Sequence, residues 1–217
     1  MKKDKGDDMA THKISDAVIR RLPGYYRYLR ELEKIGITRI SSQELGARMG
    51  LTASQIRQDI NCFGTLGQQG YGYNVAELRA EIGHILGIDN GHRLIIIGVG
   101  HLGHALLQNF DFEKVGFQVD SAFDVSPALI DTQIRGVTIR PMDQLAEYVA
   151  RYRPNVAVLT VPQNVAQPLA DQLIDLGIRG FWNFTNVELS TEVPGVFFED
   201  VHFVDTLLTL SYRISRG

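Results

Sequence analysis

The sequence predicts an α/β chain in two parts: a small helical module with a glycine-rich wing, then a doubly wound parallel sheet ending in a separate helix. Three observations carry this. An apolar run, Arg93 to Ile97, ends directly in Gly98-Val99-Gly100-His101-Leu102-Gly103, and a helical pattern follows. Two short helical stretches joined through Gly50 precede it, with glycines and tyrosines after them. Beyond residue 104, strand-like and helix-like segments alternate as βαβ units require.

At 217 residues, with 44% hydrophobic and 22% charged residues, the chain suits two modest domains. The net charge of −3 does not advertise a nucleic-acid partner, but its distribution does. Residues 10–80 hold ten Lys and Arg against six Asp and Glu, whereas residues 81–217 hold nine against sixteen. A basic front on an acidic back is expected when one half alone meets phosphates. The single cysteine, Cys62, excludes a disulfide framework and a cysteine metal site within one chain. The charged start, Met1 to Asp8, precedes no apolar run, so neither a secretory signal nor a membrane span is expected, and the chain is read as cytoplasmic.

The expected domains are a disordered tail over 1–13, a DNA-binding module over 14–88, a nucleotide domain over 89–199 and a terminal helix over 200–217. Ile14, Val18, Leu22, Tyr25, Leu29 and Leu32 recur at helical spacing, with Pro23-Gly24 as a break or restart and Gly36 as a stop. Ser41 and Glu44 form a capping-box pair for a helix over 42–49. After Gly50, Thr52 caps a second helix from Ala53 to about Phe63. This pair reads as a helix-turn-helix with Ile56 and Ile60 facing the core. Ser42, Thr52, Ser54, Gln55, Arg57, Gln58 and Asn61 are then the candidate DNA contacts. Gly64 to Tyr73 reads as a hairpin wing, adding Gln69 and Tyr71. Together these predict a winged helix-turn-helix. A helix from Val75 to Leu86 and the turn Asp89-Asn90-Gly91 close this part.

The back half reads as a Rossmann-like doubly wound parallel sheet. Strand, G-x-G-x-x-G and helix deliver a pyrophosphate onto a helix N-terminus. The second strand, Phe117 to Phe123, ends at Asp124, 26 residues after Gly98. A carboxylate there can bond a ribose 2′-hydroxyl and would repel a 2′-phosphate, which favours NADH and NAD+ over their phosphorylated forms. Another adenine-containing ligand such as coenzyme A stays open. Further strands are expected at 137–139, 156–161 and 180–184, with helices at 142–151 and 165–176. Candidate dinucleotide contacts are Gly98, Val99, Gly100, His101, Leu102 and Gly103 in the loop. Asp124 and Val125 follow from the second strand, and Thr160, Val161, Pro162, Asn183 and Phe184 from later strand ends. Val201 to Ile214 is a helix with Val204, Leu207, Leu208 and Tyr212 on one face. It packs on its own domain or on a second subunit, and the sequence leans toward the first.

These stretches together resemble the redox-sensing transcriptional repressors of the Rex family. The matching runs include Arg21–Leu29, Ser41–Leu45, Ile56–Asp59, Cys62–Gly64, Gly70–Tyr73, Gly98–Gly103, Ala122–Asp124, Leu159–Pro162 and Asn183-Phe184, in the family's order. The resemblance implies a homodimer that exchanges the C-terminal helix and reads a palindromic operator in double-stranded DNA. It implies release by NADH and competition by NAD+ without release. It also implies a relay of Arg27, Asn109, His202 and Phe203 between nicotinamide state and domain orientation. The chain departs from the family pattern at Gln58 and Gln69, where basic residues are usual, and at Asn109 and His202, where Tyr and Asp are usual.

Two other functions compete. A dehydrogenase needs a proton donor beside the nicotinamide, and His101 and His104 belong to the glycine loop and its helix, leaving His202 alone. A thiol switch would use Cys62, for which small apolar filling is the simpler role. The expectation is therefore a non-enzymatic repressor.

Overall fold

In the computed structural model the described residues are 14–64 and 71–216. The chain divides into two compact units at Asp89/Asn90. Among the described residues no helix is long and apolar enough to cross a membrane.

In the first unit, α1 (Asp16–Ile19) and α2 (Leu22–Lys34) divide the expected first helix in two. Pro23 lies in the first turn of α2, where its missing N–H costs no hydrogen bond, so Pro23-Gly24 restarts the helix rather than ending it. A short strand β1 (Arg39–Ile40) leads to α3 (Ser42–Met49). Gly50 stops α3 at φ +67° and α4 (Ala53–Asn61) follows, shorter than expected because Cys62 already caps it. Strand β2 (Tyr73–Asn74) and α5 (Val75–Ile85) complete the unit. The Asn74 side chain caps α5 by accepting from the Ala76 and Glu77 N–H groups. Leu22, Tyr25, Leu29, Leu45, Ile56, Ile60, Val75 and Ile82 are fully buried and form one core.

The expected wing is only partly described: residues 65–70, including Gln69, lie outside the described residues. Its C-terminal end, β2, pairs antiparallel with β1, the segment between α2 and α3. The close pass over Ile40 leaves no room for a side chain on Gly72, which has φ +70° and whose Cβ would lie 2.6 Å from the Ile40 carbonyl oxygen.

The second unit begins with β3 (His92–Ile97) and α6 (His101–Asn109), then β4 (Phe117–Asp124). Strands β5 (Gln133–Ile134) and β6 (Val137–Pro141) form a hairpin whose turn residues, Arg135 and Gly136, both have positive φ. That is the two-residue turn whose twist suits antiparallel strands. Then come α7 (Leu145–Tyr152), β7 (Val156–Leu159), α8 (Gln163–Asp175), β8 (Gly180–Asn183), β9 (Phe197–Asp200) and α9 (Phe203–Ile214). The sheet order is β5-β6-β4-β3-β7-β8-β9, parallel throughout except for β5. Its order reverses at β3, so the cleft above β3 and β7 is the switch point where such folds take ligands. Leu94 and Ile96 enter the core on one face of the sheet, Ile95 and Ile97 the core on the other. A central parallel strand covered on both faces reads as a continuous apolar run, which is why this segment stood out in the sequence.

Helix α9 buries none of its residues. Val204, Leu207, Leu208 and Tyr212 are 59–63% exposed, so the reading in which this face packs on its own domain is corrected.

Candidate dinucleotide cleft and DNA interface

Strand β3 delivers the chain into the glycine loop at the switch point. Gly98 turns at φ +90°, and a Cβ there would lie 2.7 Å from the Thr160 carbonyl oxygen. A Cβ on Gly103 would collide with the Gly98 carbonyl, so this glycine lets α6 pack against the loop. Gly100 differs: a Cβ there meets nothing within 4 Å. Packing therefore explains two of the three glycines, and the third faces open space where a pyrophosphate would approach. Gly100 is the N-cap of α6 and no side chain caps that end, leaving first-turn N–H groups without an internal acceptor.

Asp124, at the end of β4, accepts from the Val99 N–H through Oδ2 at 2.5 Å and from the Ser126 N–H through Oδ1 at 2.7 Å. The carboxylate thus locks the glycine loop to the adjacent strand end and remains half-buried. Its remaining lone pairs suit ribose hydroxyls. The Thr160 hydroxyl donates to the Gly98 carbonyl oxygen at 2.5 Å, bracing the loop from β7. Val99 is buried, Leu102 and Val161 are half-buried, and His101, Val125 and Pro162 are exposed.

Asn183 requires a correction. Its amide donates to the Val187 carbonyl and to Asp200 Oδ1, while its oxygen accepts from the Thr185 N–H and hydroxyl. With those four bonds made at 2% exposure, the side chain joins β8 to β9 and the following loop and has no group left for a ligand. Phe184 is also buried, packed between Trp182, at 4.6 Å between ring centroids, and Phe203, at 6.0 Å. Phe203 is 53% exposed at the root of α9, and His202 is the N-cap of that helix without capping it. The Asn109 amide donates back to the Ala105 carbonyl on its own helix. Arg27 belongs to α2 in the other unit and is exposed, so the relay residues are not brought together within either unit.

In the first unit both capping boxes form. Ser41 accepts from the Glu44 N–H, and Thr52 accepts from the Gln55 N–H, each with the reciprocal bond. The backbone bond from Ser41 holds the Glu44 carboxyl below the usual range. The second box bears out the capping expected of Thr52: the Gln55 carbonyl oxygen accepts from the Thr52 N–H and hydroxyl, and both side chains stay exposed at the start of α4. Ser54, Arg57, Gln58 and Asn61 are exposed along α4. Arg57 Nη1 donates to Ser42 Oγ at 3.0 Å, linking the outer side of α4 to the start of α3. Tyr71 is 70% exposed, and Arg39 lies 5.9 Å from its ring centroid while donating to its carbonyl. Cys62 is exposed, with its thiol donating to the Gln58 carbonyl, so the apolar-filler reading is corrected.

Sequence reasoning missed Asp59. It is 4% exposed and receives Arg21 Nε and Nη2, both at 2.7 Å, and the Tyr25 hydroxyl at 2.6 Å. The signal was present: Asp59 follows Ile56 by three residues and precedes Ile60, which puts it on the apolar face of α4.

A capped helix-turn-helix with Arg57 and polar side chains on its outer face, joined to a doubly wound domain with a glycine cradle, defines a DNA-binding regulator with a nucleotide-sensor domain. Residues 13–61 match the family model described as "Putative DNA-binding protein N-terminus", and residues 89–187 the one described as "CoA binding domain". The redox-sensing transcriptional repressor Rex of Clostridium tetani is 49% identical over 94% of this chain and 96% of its own length. The crystallised RSP in complex with β-NAD+ and operator DNA matches at TM-score 0.86 and 46% identity, over 94% of this chain and 93% of that one. RSP in complex with β-NADH matches at TM-score 0.87 and 44% identity, over 94% and 95%. The chain belongs to the Rex family of redox-sensing transcriptional repressors.

Proposed function

We propose that this chain is a cytoplasmic homodimeric repressor that grips a palindromic operator and lets go when NADH fills the cleft above β3 and β7. NAD+ competes for the same cleft. The observation that carries the reading is Gly100, the one loop glycine that no internal packing requires, in a loop locked to a carboxylate at the end of β4. The crystallised RSP is described with β-NADH, with β-NAD+ and with operator DNA, which supports the same ligands here.

In this reading the loop Gly98, Val99, Gly100, His101, Leu102 and Gly103 cradles the pyrophosphate: the N–H groups of Gly98 and Val99 are held by the Phe123 carbonyl and Asp124, those from Gly100 onward donate to the phosphates, and Asp124 takes the ribose. Ser54, Arg57, Gln58 and Asn61 enter the major groove, with Ser42 bonded to Arg57, and with Tyr71 beside the backbone. The exposed apolar face of α9 is covered by a second copy. Because NADH and DNA favour different arrangements, each weakens the other by the same factor.

A mobility shift tests this, using a duplex that the protein itself selects from a randomised pool. NADH releases the duplex, while NAD+ added in excess restores the shift. Coenzyme A serves as competitor, and its displacement of NADH would transfer the cleft to that ligand. Retention of the duplex at saturating NADH would overturn the reading. Arg57→Ala weakens operator binding about 10–100-fold and leaves NADH affinity unchanged.

A further inference from the structure

The apolar contacts of α4 with the core, Ile56 and Ile60, are non-directional and tolerate a roll of the helix about its axis. Recognition does not tolerate it. A roll of about 10° moves an outward side chain by about 1 Å at the roughly 5–6 Å radius of a helix with its side chains. Binding constellations must be held to about half that.

One contact on the buried face of α4 is directional. Asp59 takes two guanidinium bonds from Arg21 and one from the Tyr25 hydroxyl. The fork-to-fork geometry fixes both distance and plane. Arg21 is at the N-cap of α2, a corner created by the Pro23 restart. Gly24, next to it, lies against Met49 of α3, whose Cε would be 2.7 Å from a Cβ on this glycine. The N-terminus of α2 is therefore clamped to both helices of the helix-turn-helix. Stability alone is a weak reason for such a pair, because apolar residues of the same shape often stabilise a fold equally well.

We propose that the Arg21–Tyr25–Asp59 knot is a positioning device: it fixes the roll of α4 so that Arg57, Gln58 and Asn61 meet the bases in register. This rests on the DNA-binding reading above. None of the three knot residues touches DNA in it.

The test compares the full-length parent, D59N, R21K and the triple variant R21M/Y25F/D59L, measuring thermal melting and anisotropy with the selected operator and with a random duplex at one salt concentration. D59N lowers both the melting temperature and operator affinity. The triple variant recovers the melting temperature, yet its operator affinity stays at least tenfold below the parent while its affinity for random duplex is unchanged. R21K keeps the charge but loses the fork. It folds and loses at least threefold in operator affinity only, and it decides the matter should the triple variant not fold. Parent-like operator affinity in the triple variant or in R21K overturns the proposal, as does an equal loss on the random duplex, which would make Arg21 a phosphate contact. If the parent itself does not prefer the operator, the DNA-binding reading fails instead.

Discussion

At Gly100 the backbone has φ −67° and ψ −162°, an extended conformation open to any L residue, and a Cβ meets no atom within 4 Å. Gly100→Ala is therefore expected to fold. Alanine is a poorer N-cap than glycine by about 1 kcal/mol, and the reduced freedom of the unfolded chain returns about 0.4–1 kcal/mol. Net stability then changes by less than about 1 kcal/mol. The ligand is affected differently. A phosphate oxygen accepting from the loop N–H groups at about 2.9 Å must pass where the new methyl stands. Losing one charge-assisted bond costs about 1.5–3 kcal/mol, or about 10–150-fold in affinity. Gly103→Ala is the control, since its methyl meets the Gly98 backbone and overpacking costs about 1–3 kcal/mol of folding stability. Trp182, the single tryptophan, reports binding because reduced nicotinamide absorbs where indole emits. Titrating NADH against its fluorescence, beside thermal melts of each variant, separates the two effects. Parent-like NADH affinity in Gly100→Ala, or a loss of stability equal to that of Gly103→Ala, would refute the assignment of the open space above the loop to a pyrophosphate.

Asp124→Asn removes the charge and replaces one of the two oxygens that accept from Val99 and Ser126 with a donor, loosening the loop as well as the ribose site, so NADH affinity measured by calorimetry falls about 10–100-fold while discrimination against NADPH weakens. Burial raises the Asp59 carboxyl, but Arg21 and Tyr25 outweigh it and hold it below the usual carboxylate range. A group depressed by folding stabilises fully above its unfolded value of about 3.9 and ceases to as pH falls through the folded one. Urea unfolding between about pH 2 and 6 therefore shows an acid-side loss in the parent that is shallower in Asp59→Asn. Leu207→Asp with Leu208→Asp charges a face that is 63% exposed at both positions, and sedimentation is expected to show a monomer that no longer binds the palindrome tightly.

Much of this protein was legible in its sequence because local chemistry decides it. The apolar run Leu94–Ile97 reads as a central strand, and the capping boxes at Ser41 and Thr52, the positive φ of Gly98 and the contact of Gly103 with the Gly98 carbonyl are all settled within a few residues. Short edge elements were not legible. Two-residue β5 and four-residue β9 carry too little periodicity to stand out, and β2 finds its partner 33 residues earlier in β1. Side-chain partners across such distances escape any local rule. Asn183 has the position of a ligand contact, yet Val187, Asp200 and Thr185 saturate it, and the Gln55 carbonyl oxygen closes on Thr52. Hydrophobic period and turn chemistry act over a few residues, so the sequence alone determined the order of the main helices and central strands and the site-bearing loops. Tertiary structure alone decided which polar groups are already satisfied, that Gly100 faces open space, and that Asp59 ties α4 to Arg21, because each depends on atoms brought together by packing.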